Sequence, residues 1–268
     1  MFFFLKLLAR IRANFDQKLY GVSRKKFSKD MSFTEAVKQF PSRNDLYNYM
    51  HHYLWHIAPK EILQHRRYFS QDMRGFGEDA FHAMWWTIFR EFKPKLVLEI
   101  GVYRGQVCSL WGLISKLNGF KCEVHGISPF SPAGDHVSNY LANLDYLEDT
   151  LESHRKFHLL EPNFMSYYST DKKAIDYIRC HKWDLIYIDG NHDYDVVLSD
   201  YLHCKDSLAK GGILVIDDSS LYTDYIPPSF SFAGHIGPSR VVENFAMKEL
   251  DFIGAVGHNN VFMNKNGN

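Results

Sequence analysis

Two short apolar runs that each stop at a carboxylate constrain the fold of this chain more than any other feature. The first run, residues 185–188, leads into Asp189, and the second, residues 213–216, leads into Asp217 and Asp218. Unbroken apolar runs of this length are typical of strands that are buried on both faces, as in a parallel sheet. Because a helix-like segment separates the two runs, we predict a strand–helix–strand unit with parallel strands.

The three acids are expected to lie together. Carboxyl ends of neighbouring parallel strands meet at one edge of a sheet, about 4.8 Å apart. Asp189, Asp217 and Asp218 would repel one another there unless a cation or protons neutralised them. Since carboxylate oxygens are the ligands that hard divalent cations prefer, the pattern predicts a divalent metal site, with Mg²⁺ as the expected ion. The alternative is that these acids only cap the following helices or line a solvated edge.

Strand-like and helix-like segments alternate from Gly75 onward, which predicts an α/β fold. The expected helices include residues 80–92, 140–154 and 240–250. We predict a doubly wound, seven-stranded, mostly parallel sheet that closes with a C-terminal antiparallel hairpin. The expected strands are residues 96–100, 122–127, 157–160, the two acid-ended runs, 252–256 and 261–264.

The N-terminal part differs from the rest, so we divide the chain into a helical N-terminal extension or cap, residues 1–74, and a main domain, residues 75–268. Residues 1–30 contain eight Lys and Arg against two Asp. Three interpretations remain open for this basic helix: it packs on the core, it packs on a second subunit of a homo-oligomer, or it lies on an anionic membrane surface. Packing is the more common arrangement. Its apolar residues recur at helical spacing: Phe4, Leu7, Leu8, Ile11, Phe15 and Leu19.

Composition excludes several classes of protein. The formal net charge is zero, which argues against a general nucleic-acid binder. The four cysteines form no C-x-x-C pair and are typical of reduced thiols in a cytoplasmic protein. Since no apolar run approaches the roughly 20 residues that span a membrane, and the start lacks the order of a signal peptide, we expect cytoplasmic localisation.

A glycine-containing turn follows the first predicted strand. It reads Glu99, Ile100, Gly101, two further residues, Arg104 and Gly105. Glycines there allow a tight strand-to-helix turn and a close approach of the backbone to a ligand. The spacing is not that of the dinucleotide fingerprint, so an NAD(P) oxidoreductase ranks low. It suits a ligand without a pyrophosphate, such as S-adenosylmethionine (SAM).

Residues 75–265, with this turn and the three acids, resemble a class I SAM-dependent methyltransferase. More narrowly, they are similar to the metal-dependent O-methyltransferases of the catechol and macrolide-sugar types and to cephalosporin-hydroxylase-like proteins. The resemblance implies a Rossmann-like fold and transfer of a methyl group from SAM to a hydroxyl of a small molecule. It makes Asp189, Asp217 and Asp218 the metal ligands. His192 matches the base of the sugar-modifying members, so we expect His192 and Asp189 to be catalytic and the acceptor to be a sugar or glycoside.

The resemblance also implies a set of cofactor-binding residues. One of them departs from the usual pattern, because the second strand ends in Ser128 where most such folds have a carboxylate for the ribose. Asp135 is the alternative at this position. Ser169 and Asp171 follow the third strand, where the adenine is expected, although Ser-Thr-Asp also suits a helix N-cap. The expected cofactor-binding residues are Glu99, Gly101, Tyr103, Gly105, Ser128, Ser169, Asp171 and Asp189.

A long irregular stretch, residues 222–240, is predicted to be a substrate lid, with aromatic faces for a sugar ring and Arg240 for an anionic group. The alternative is an aromatic loop folded onto its own core. His192 also has alternatives, as a metal ligand or as a group that orients one. Two competing functions remain: a non-methylating, hydroxylase-like enzyme, although we see no set of two histidines and one carboxylate, and a degenerate methyltransferase fold that acts as a scaffold.

Overall fold

The computed structural model of the chain describes residues 11–12, 15–16, 19–20, 29–132 and 141–264. These residues form a seven-stranded sheet in the order β3-β2-β1-β4-β5-β7-β6. The first five strands in that order are parallel to one another, and β7 pairs antiparallel with both β5 and β6. The predicted fold class is therefore confirmed. The strands are β1 (Leu96–Ile100), β2 (Glu123–Ser128), β3 (Asn163–Ser166), β4 (Trp183–Ile188), β5 (Leu208–Ile216), β6 (Asp251–Val256) and β7 (Asn259–Met263).

Helices cover both faces of this sheet. The last helix, α9, continues through a π-helical turn (Val242–Ala246) and a short helical turn (Met247–Glu249). The helices are α1 (Phe33–Gln39), α2 (Arg43–His56), α3 (Lys60–Phe69), α4 (Asp79–Phe92), α5 (Gln106–Leu117), α6 (Tyr146–Lys156), α7 (Lys172–Arg179), α8 (Tyr194–Ser207) and α9 (Ile236–Val241).

The central strands feed two separate hydrophobic cores, because successive side chains point to opposite faces. Leu185 and Tyr187 of β4 join the core beneath α1–α5, whereas Ile186 and Ile188 join the core beneath α7–α9. Both faces of the strand are therefore dry. This explains why the run 185–188 is apolar without alternation.

Two predicted elements are misplaced along the chain. The third strand was expected at residues 157–160, but it lies at Asn163–Ser166. Phe157 instead caps α6 and packs its ring against Phe69, and Leu160 is 72% exposed. Apolar residues that follow a helix were thus mistaken for a strand. The hairpin turn was expected at residues 258–260, but β7 already begins at Asn259.

The N-terminal helices share a core with the sheet. Phe33, Met50 and Ile62, from α1, α2 and α3, belong to the same buried cluster as Val97 of β1. Helix α2 packs against α4 and β6. The boundary predicted at residue 74 remains a prediction, but the described part of the extension is packed as one body with the sheet.

The three described residues of the N-terminal apolar stripe are mostly exposed. Ile11, Phe15 and Leu19 are 57%, 64% and 56% exposed, whereas Tyr20 reaches inward to the rings of His51 and Phe230. Packing of the stripe on the chain's own core therefore does not hold for these three side chains. None of the helices within the described residues is long and apolar enough to span a bilayer.

A buried carboxyl on α8 gives a pH-dependent contribution to stability. Burial raises the pKa of Asp200 to about 7, although a hydrogen bond from the Ser169 hydroxyl (3.0 Å) acts in the opposite direction. Because the folded state holds this proton while the unfolded state releases it near pH 4, stability is lost as the pH rises from about 4 to about 7. We expect Asp200→Asn to match the wild type near pH 4.5 and to exceed its free energy of unfolding by on the order of 3 kcal/mol at pH 8.

Urea denaturation of the two proteins across pH 4.5–8 measures this difference. Asp206→Asn, at an exposed position of the same helix, is the matched control, and its difference from the wild type should not change with pH. A difference for Asp200→Asn that is equally flat would show that the Asp200 carboxyl ionises without cost inside the fold.

Candidate active site

The ends of four strands place the predicted cofactor turn beside the predicted metal acids. In the sheet register, Ile100 pairs with Ile127 and Ile188, and Ile188 pairs with Ile216. The residues that follow these pairs therefore form a row along the carboxyl edge. Backbone hydrogen bonds continue into this row. The amides of Gly101 (2.9 Å), Asp189 (2.8 Å) and Asp217 (3.0 Å) each donate to a carbonyl oxygen of the neighbouring strand in the sheet. The row consists of Ser128, Gly101, Asp189 and Asp217.

Gly101 allows β1 and β4 to approach closely at this edge. Its φ of +100° lies in the region that favours glycine, and a Cβ atom there would lie 2.0 Å from the carbonyl oxygen of Asp189. The glycine is therefore required for packing against the first acid. Whether it also faces a cofactor, as predicted, remains a prediction.

Two of the three predicted acids, Asp189 and Asp218, have pKa values that are shifted in opposite directions. Burial raises the pKa of Asp189 well above its usual value, and the charges of Asp217, Asp218 and Glu99 raise it further. Asp218 behaves in the opposite way. Burial alone would raise its pKa, but hydrogen bonds from His192 and His258 outweigh this and hold the pKa well below its usual range. The carboxyl of Asp189 therefore favours its protonated form, whereas that of Asp218 favours its ionised form.

Asp218 is held between two histidines on its two oxygens. His192 Nε2 lies 2.9 Å from Oδ2, and His258 Nδ1 lies 3.0 Å from Oδ1. The backbone of Asp218 has a φ of +52°, in the left-handed region that non-glycine residues seldom adopt. Strain of this kind persists where surrounding contacts enforce it. The carbonyl of Asp218 indeed accepts a hydrogen bond of 2.7 Å from the His235 amide.

His258 was missed by sequence reasoning, which assigned it only to a hairpin turn. Its Nδ1 lies 2.9 Å from Asp217 Oδ1 as well as 3.0 Å from Asp218 Oδ1, and its side chain is 5% exposed. Burial alone would lower the pKa of His258, but these carboxylates and Glu78 raise it well above its usual value. A signal was present in the sequence. Because a terminal hairpin strand beside β5 runs antiparallel to it, the turn that precedes this strand must lie next to Asp217.

The side chains at this edge form two sets of candidate metal ligands. In each set, three ligand atoms lie within 4.8 Å of one another: Asp217, Asp218 and His258 in one, and His192, Asp218 and His235 in the other. The second set corrects the expectation that the chain lacks two histidines with one carboxylate. Those histidines lie 43 residues apart in sequence, so no local motif revealed them. Asp189 belongs to neither set, and its predicted metal role remains a prediction.

Glu99, at the end of the strand that leads into the predicted cofactor turn, is also buried. Oε2 of Glu99 accepts hydrogen bonds from the backbone amide (3.1 Å) and the thiol (2.8 Å) of Cys108. Burial raises the pKa of Glu99 to about 7, and the charge of Asp217 contributes. The turn is anchored by Arg104, which pairs with both carboxylate oxygens of Asp149 on α6. Tyr103 packs against the ring of Tyr146, and Gly105 is the N-cap of α5.

The remaining predicted cofactor residues mostly make local contacts. Ser128 is buried, and its hydroxyl accepts a weak hydrogen bond of 3.5 Å from the Phe130 amide. Ser169 donates to Asp200 (3.0 Å). Asp171 is the N-cap of α7, but its carboxylate accepts from the Tyr168 amide rather than from the helix. The alternative ribose residue, Asp135, lies outside the described residues.

The loop before α4 links this edge to the N-terminal helices. Glu78 accepts a hydrogen bond from the Tyr47 hydroxyl of α2 on one oxygen, and its other oxygen lies 3.7 Å from His258 Nε2. The backbone amide of Gly77 donates to the Gln106 side chain at 3.0 Å. The extension therefore contacts the acid cluster through Glu78.

The predicted lid is a loop that is closed at its base by a bridge between Ser219 and Gly234. Phe232 lies against the histidines of the site, with ring centroids 4.8 Å from His258 and 5.3 Å from His235. The other aromatic residues predicted to line the lid are Tyr222, Tyr225 and Phe230. Tyr225 packs inward against Tyr47. Arg240 lies over the ring of Tyr194 on α8. One part of the loop therefore borders these histidines and another part packs on the core, and its role as a substrate lid remains a prediction.

Comparison with known proteins agrees with this architecture. Residues 98–219 match a family model described as a methyltransferase domain. The fold is shared with the S-adenosylhomocysteine-bound methyltransferase PaMTH1 of Podospora anserina, at 14% identity over 77% of this chain and 88% of that chain, with a TM-score of 0.52. It is also shared with a putative caffeoyl-CoA O-methyltransferase of Staphylococcus aureus, at 12% identity over 75% and 90% of the two chains and a TM-score of 0.53. A search of curated proteins found no match.

Over residues 98–219 the chain is thus similar to a methyltransferase domain, and its fold is that of solved methyltransferases.

Proposed function

We propose that this protein transfers a methyl group from SAM to a hydroxyl of a small molecule, a sugar or glycoside, with a divalent cation bound at the acid cluster. The observation that carries the proposal is the His192–Asp218 hydrogen bond of 2.9 Å at the same sheet edge as the glycine turn. A base held by a carboxylate beside a cofactor turn is the arrangement that proton removal from a hydroxyl requires.

The residues at this edge fit both groups. Buried Glu99 and the turn that begins at Gly101 would hold the amino-acid end of SAM, and the oxygens of Asp217 and Asp218 would hold the cation. When bound, SAM supplies an electrophilic methyl group, and a divalent cation lowers the pKa of a hydroxyl that it contacts.

His192 would accept the proton of the acceptor hydroxyl. Its Nε2–H donates to Asp218 Oδ2, which fixes the tautomer and leaves the basic lone pair on Nδ1. The negative charge of Asp218 stabilises the imidazolium that forms, in the way that a buried carboxylate supports the histidine of a catalytic triad. Asp218 also keeps the ring in place, so positioning and proton removal depend on the same contact.

The preference for a sugar rests on His192 and on Phe232. An aromatic face beside a base and a cation site suits a ring that carries adjacent hydroxyls, since apolar ring faces stack while the hydroxyls reach polar groups. Two neighbouring hydroxyls would also satisfy a cation better than one.

His192→Gln tests this function. We expect the rate of methyl transfer from radiolabelled SAM to a panel of glycosides to fall by about 10²- to 10³-fold, because a general base is lost. Binding of S-adenosylhomocysteine, measured by calorimetry, should stay within about threefold because His192 is not on the cofactor side. His158→Gln, at an exposed residue after α6, is the matched control.

An unchanged rate of methyl transfer in His192→Gln would show that His192 is not the general base. Labelled product from catechols but from no glycoside would keep methyl transfer and reject the sugar. If neither SAM nor S-adenosylhomocysteine bound in the presence of Mg²⁺ or Mn²⁺, the scaffold interpretation would replace the enzyme.

The set of His192, Asp218 and His235 favours one second candidate, an oxygen-dependent enzyme, because two histidines and one carboxylate are the ligand set of many non-haem Fe(II) oxygenases. Oxygen consumption with Fe(II) and the same glycosides, without SAM, would distinguish this activity from methyl transfer.

A further inference from the structure

We propose that His258 is a metal ligand, so that the cation of this site is held by one imidazole nitrogen and the carboxylates of Asp217 and Asp218. Such a mixed set selects a transition-metal ion such as Mn²⁺ or Co²⁺ over Mg²⁺. The inference rests on the proposed function, because it assigns the ligands of the cation that this function uses.

The first observation is the direction of the imidazole. His258 Nδ1 lies almost equally far from Asp217 Oδ1 (2.9 Å) and Asp218 Oδ1 (3.0 Å), so one ring nitrogen points between two carboxylate oxygens. The three atoms lie within 4.8 Å of one another. A cation placed between them would be contacted by three ligand atoms from residues that are already gathered and mostly buried.

The second observation is independent of the acids. A histidine that binds metal through one nitrogen almost always directs its other N–H to a carboxylate, which fixes the tautomer and the ring orientation. His258 Nε2 faces Glu78 Oε1 at 3.7 Å. Glu78 is itself buried and is held by the Tyr47 hydroxyl on its other oxygen. The carboxylate behind the ring is thus fixed from α2.

Burial distinguishes this set from the neighbouring set of His192, Asp218 and His235. The His258 side chain is 5% exposed, whereas those of His192 and His235 are 18% and 33% exposed. The two outer histidines are paired with Asp218 through Oδ2, whereas His258 approaches Oδ1. Asp218 therefore separates an inner position that suits a resident cation from an outer position that suits proton transfer with an acceptor.

The ligand chemistry gives the expected selectivity. Mg²⁺ prefers an all-oxygen, near-octahedral shell, whereas imidazole suits transition metals, whose affinities for nitrogen ligands exceed that of Mg²⁺. The sequence predicts a site with three carboxylate ligands and Mg²⁺ as the bound ion. The position of His258 replaces one of those carboxylates by nitrogen.

Metal binding to the full chain tests the proposal without reference to turnover. We expect calorimetry to give an affinity for Mn²⁺ at least about 100-fold higher than that for Mg²⁺. We also expect bound Mn²⁺ to show ¹⁴N coupling in its electron spin-echo modulation. His258→Gln should abolish the coupling and weaken Mn²⁺ by about 100-fold while changing Mg²⁺ by less than about threefold. His258→Asp, which restores a third carboxylate, should tighten Mg²⁺.

Two further variants separate the ligand from its surroundings. His192→Gln should retain the ¹⁴N coupling, because His192 belongs to the outer set. Glu78→Gln should weaken Mn²⁺ by about 10-fold and keep the coupling, as expected for a group that orients a ligand. Thermal unfolding of every variant shows whether the fold is intact, and the His258→Asp gain in Mg²⁺ affinity cannot arise from misfolding.

Wild-type Mn²⁺ without nitrogen coupling, coupling that persists in His258→Gln, or equal affinities for Mg²⁺ and Mn²⁺ would each overturn the proposal. Methyl transfer measured on the same preparations separates this failure from that of the proposed function. Turnover that is supported by Mg²⁺ and unaffected in His258→Gln would reject the ligand but keep the function. Bound Mn²⁺ with nitrogen coupling but no methylated product would keep His258 as a ligand and reject methyl transfer.

Discussion

Asp218→Asn is expected to lower the rate of methyl transfer by about 10⁴-fold, more than the loss of either histidine that it holds. The carboxylate accepts from His192 on one oxygen and from His258 on the other, and it is the one residue shared by both candidate ligand sets. An amide in its place can accept on one side only, so at least one histidine loses its orientation. The charge that supports an imidazolium at position 192 is lost as well.

Radiolabel transfer from SAM measures this rate, and calorimetry with S-adenosylhomocysteine measures cofactor binding, which should change by less than about threefold. Asp195→Asn, in the exposed first turn of α8, is the matched control. A parallel loss of cofactor binding in Asp218→Asn would mean that Asp218 shapes the cofactor pocket and would contradict a role confined to the acceptor side.

Asp79→Ala is expected to lower the free energy of unfolding by about 3–5 kcal/mol, because it removes the carboxylate that a buried guanidinium contacts. Arg66 Nε on α3 donates to Asp79 at 2.8 Å, and both side chains are less than 8% exposed. Trp55 of α2 donates to the other oxygen at 2.8 Å. Three helices are joined by this one carboxylate, so the loss falls on the packing of the extension against α4.

Urea denaturation measures this free energy. The exposed pair Arg155–Glu148 provides the comparison, since both side chains are about 60% exposed and Glu148→Ala should cost less than about 1 kcal/mol. The double variant Asp79→Ala/Arg66→Met should recover part of this loss, because it also removes the buried positive charge of Arg66. A loss below about 1 kcal/mol for Asp79→Ala would show that water reaches Arg66 when its partner is removed.

The sheet and the row of strand ends could be predicted from the sequence because they depend on local patterns. Runs such as 185–188 must be buried on both faces, and the residues after such strands must share an edge. The errors occurred where local pattern and tertiary packing differ. Phe157 is apolar because it packs on α3, and it does not belong to a strand.

The histidines of the site were harder to find for a different reason. His192 lies three residues after Asp189, where the family resemblance placed it, whereas His258 comes 40 residues after Asp218 and reaches it through antiparallel pairing of β7 with β5. Glu78 is further still from these residues in sequence. Only the order of strands in the sheet brings such distant positions together, and a single sequence does not specify that order residue by residue.

The hydrogen bond from Tyr47 to Glu78 ties the site to helix α2, which matters when a shorter chain is engineered. A chain that begins at Gly75 keeps all seven strands as well as Asp217, Asp218 and His258, so its sequence motifs are complete. It lacks the phenol that fixes Glu78 and the arginine that neutralises Asp79. Transfer of this site to another α/β sheet therefore requires α2 and α3 as well, because variants confined to the carboxyl edge would lack the groups that position Glu78 and Asp79.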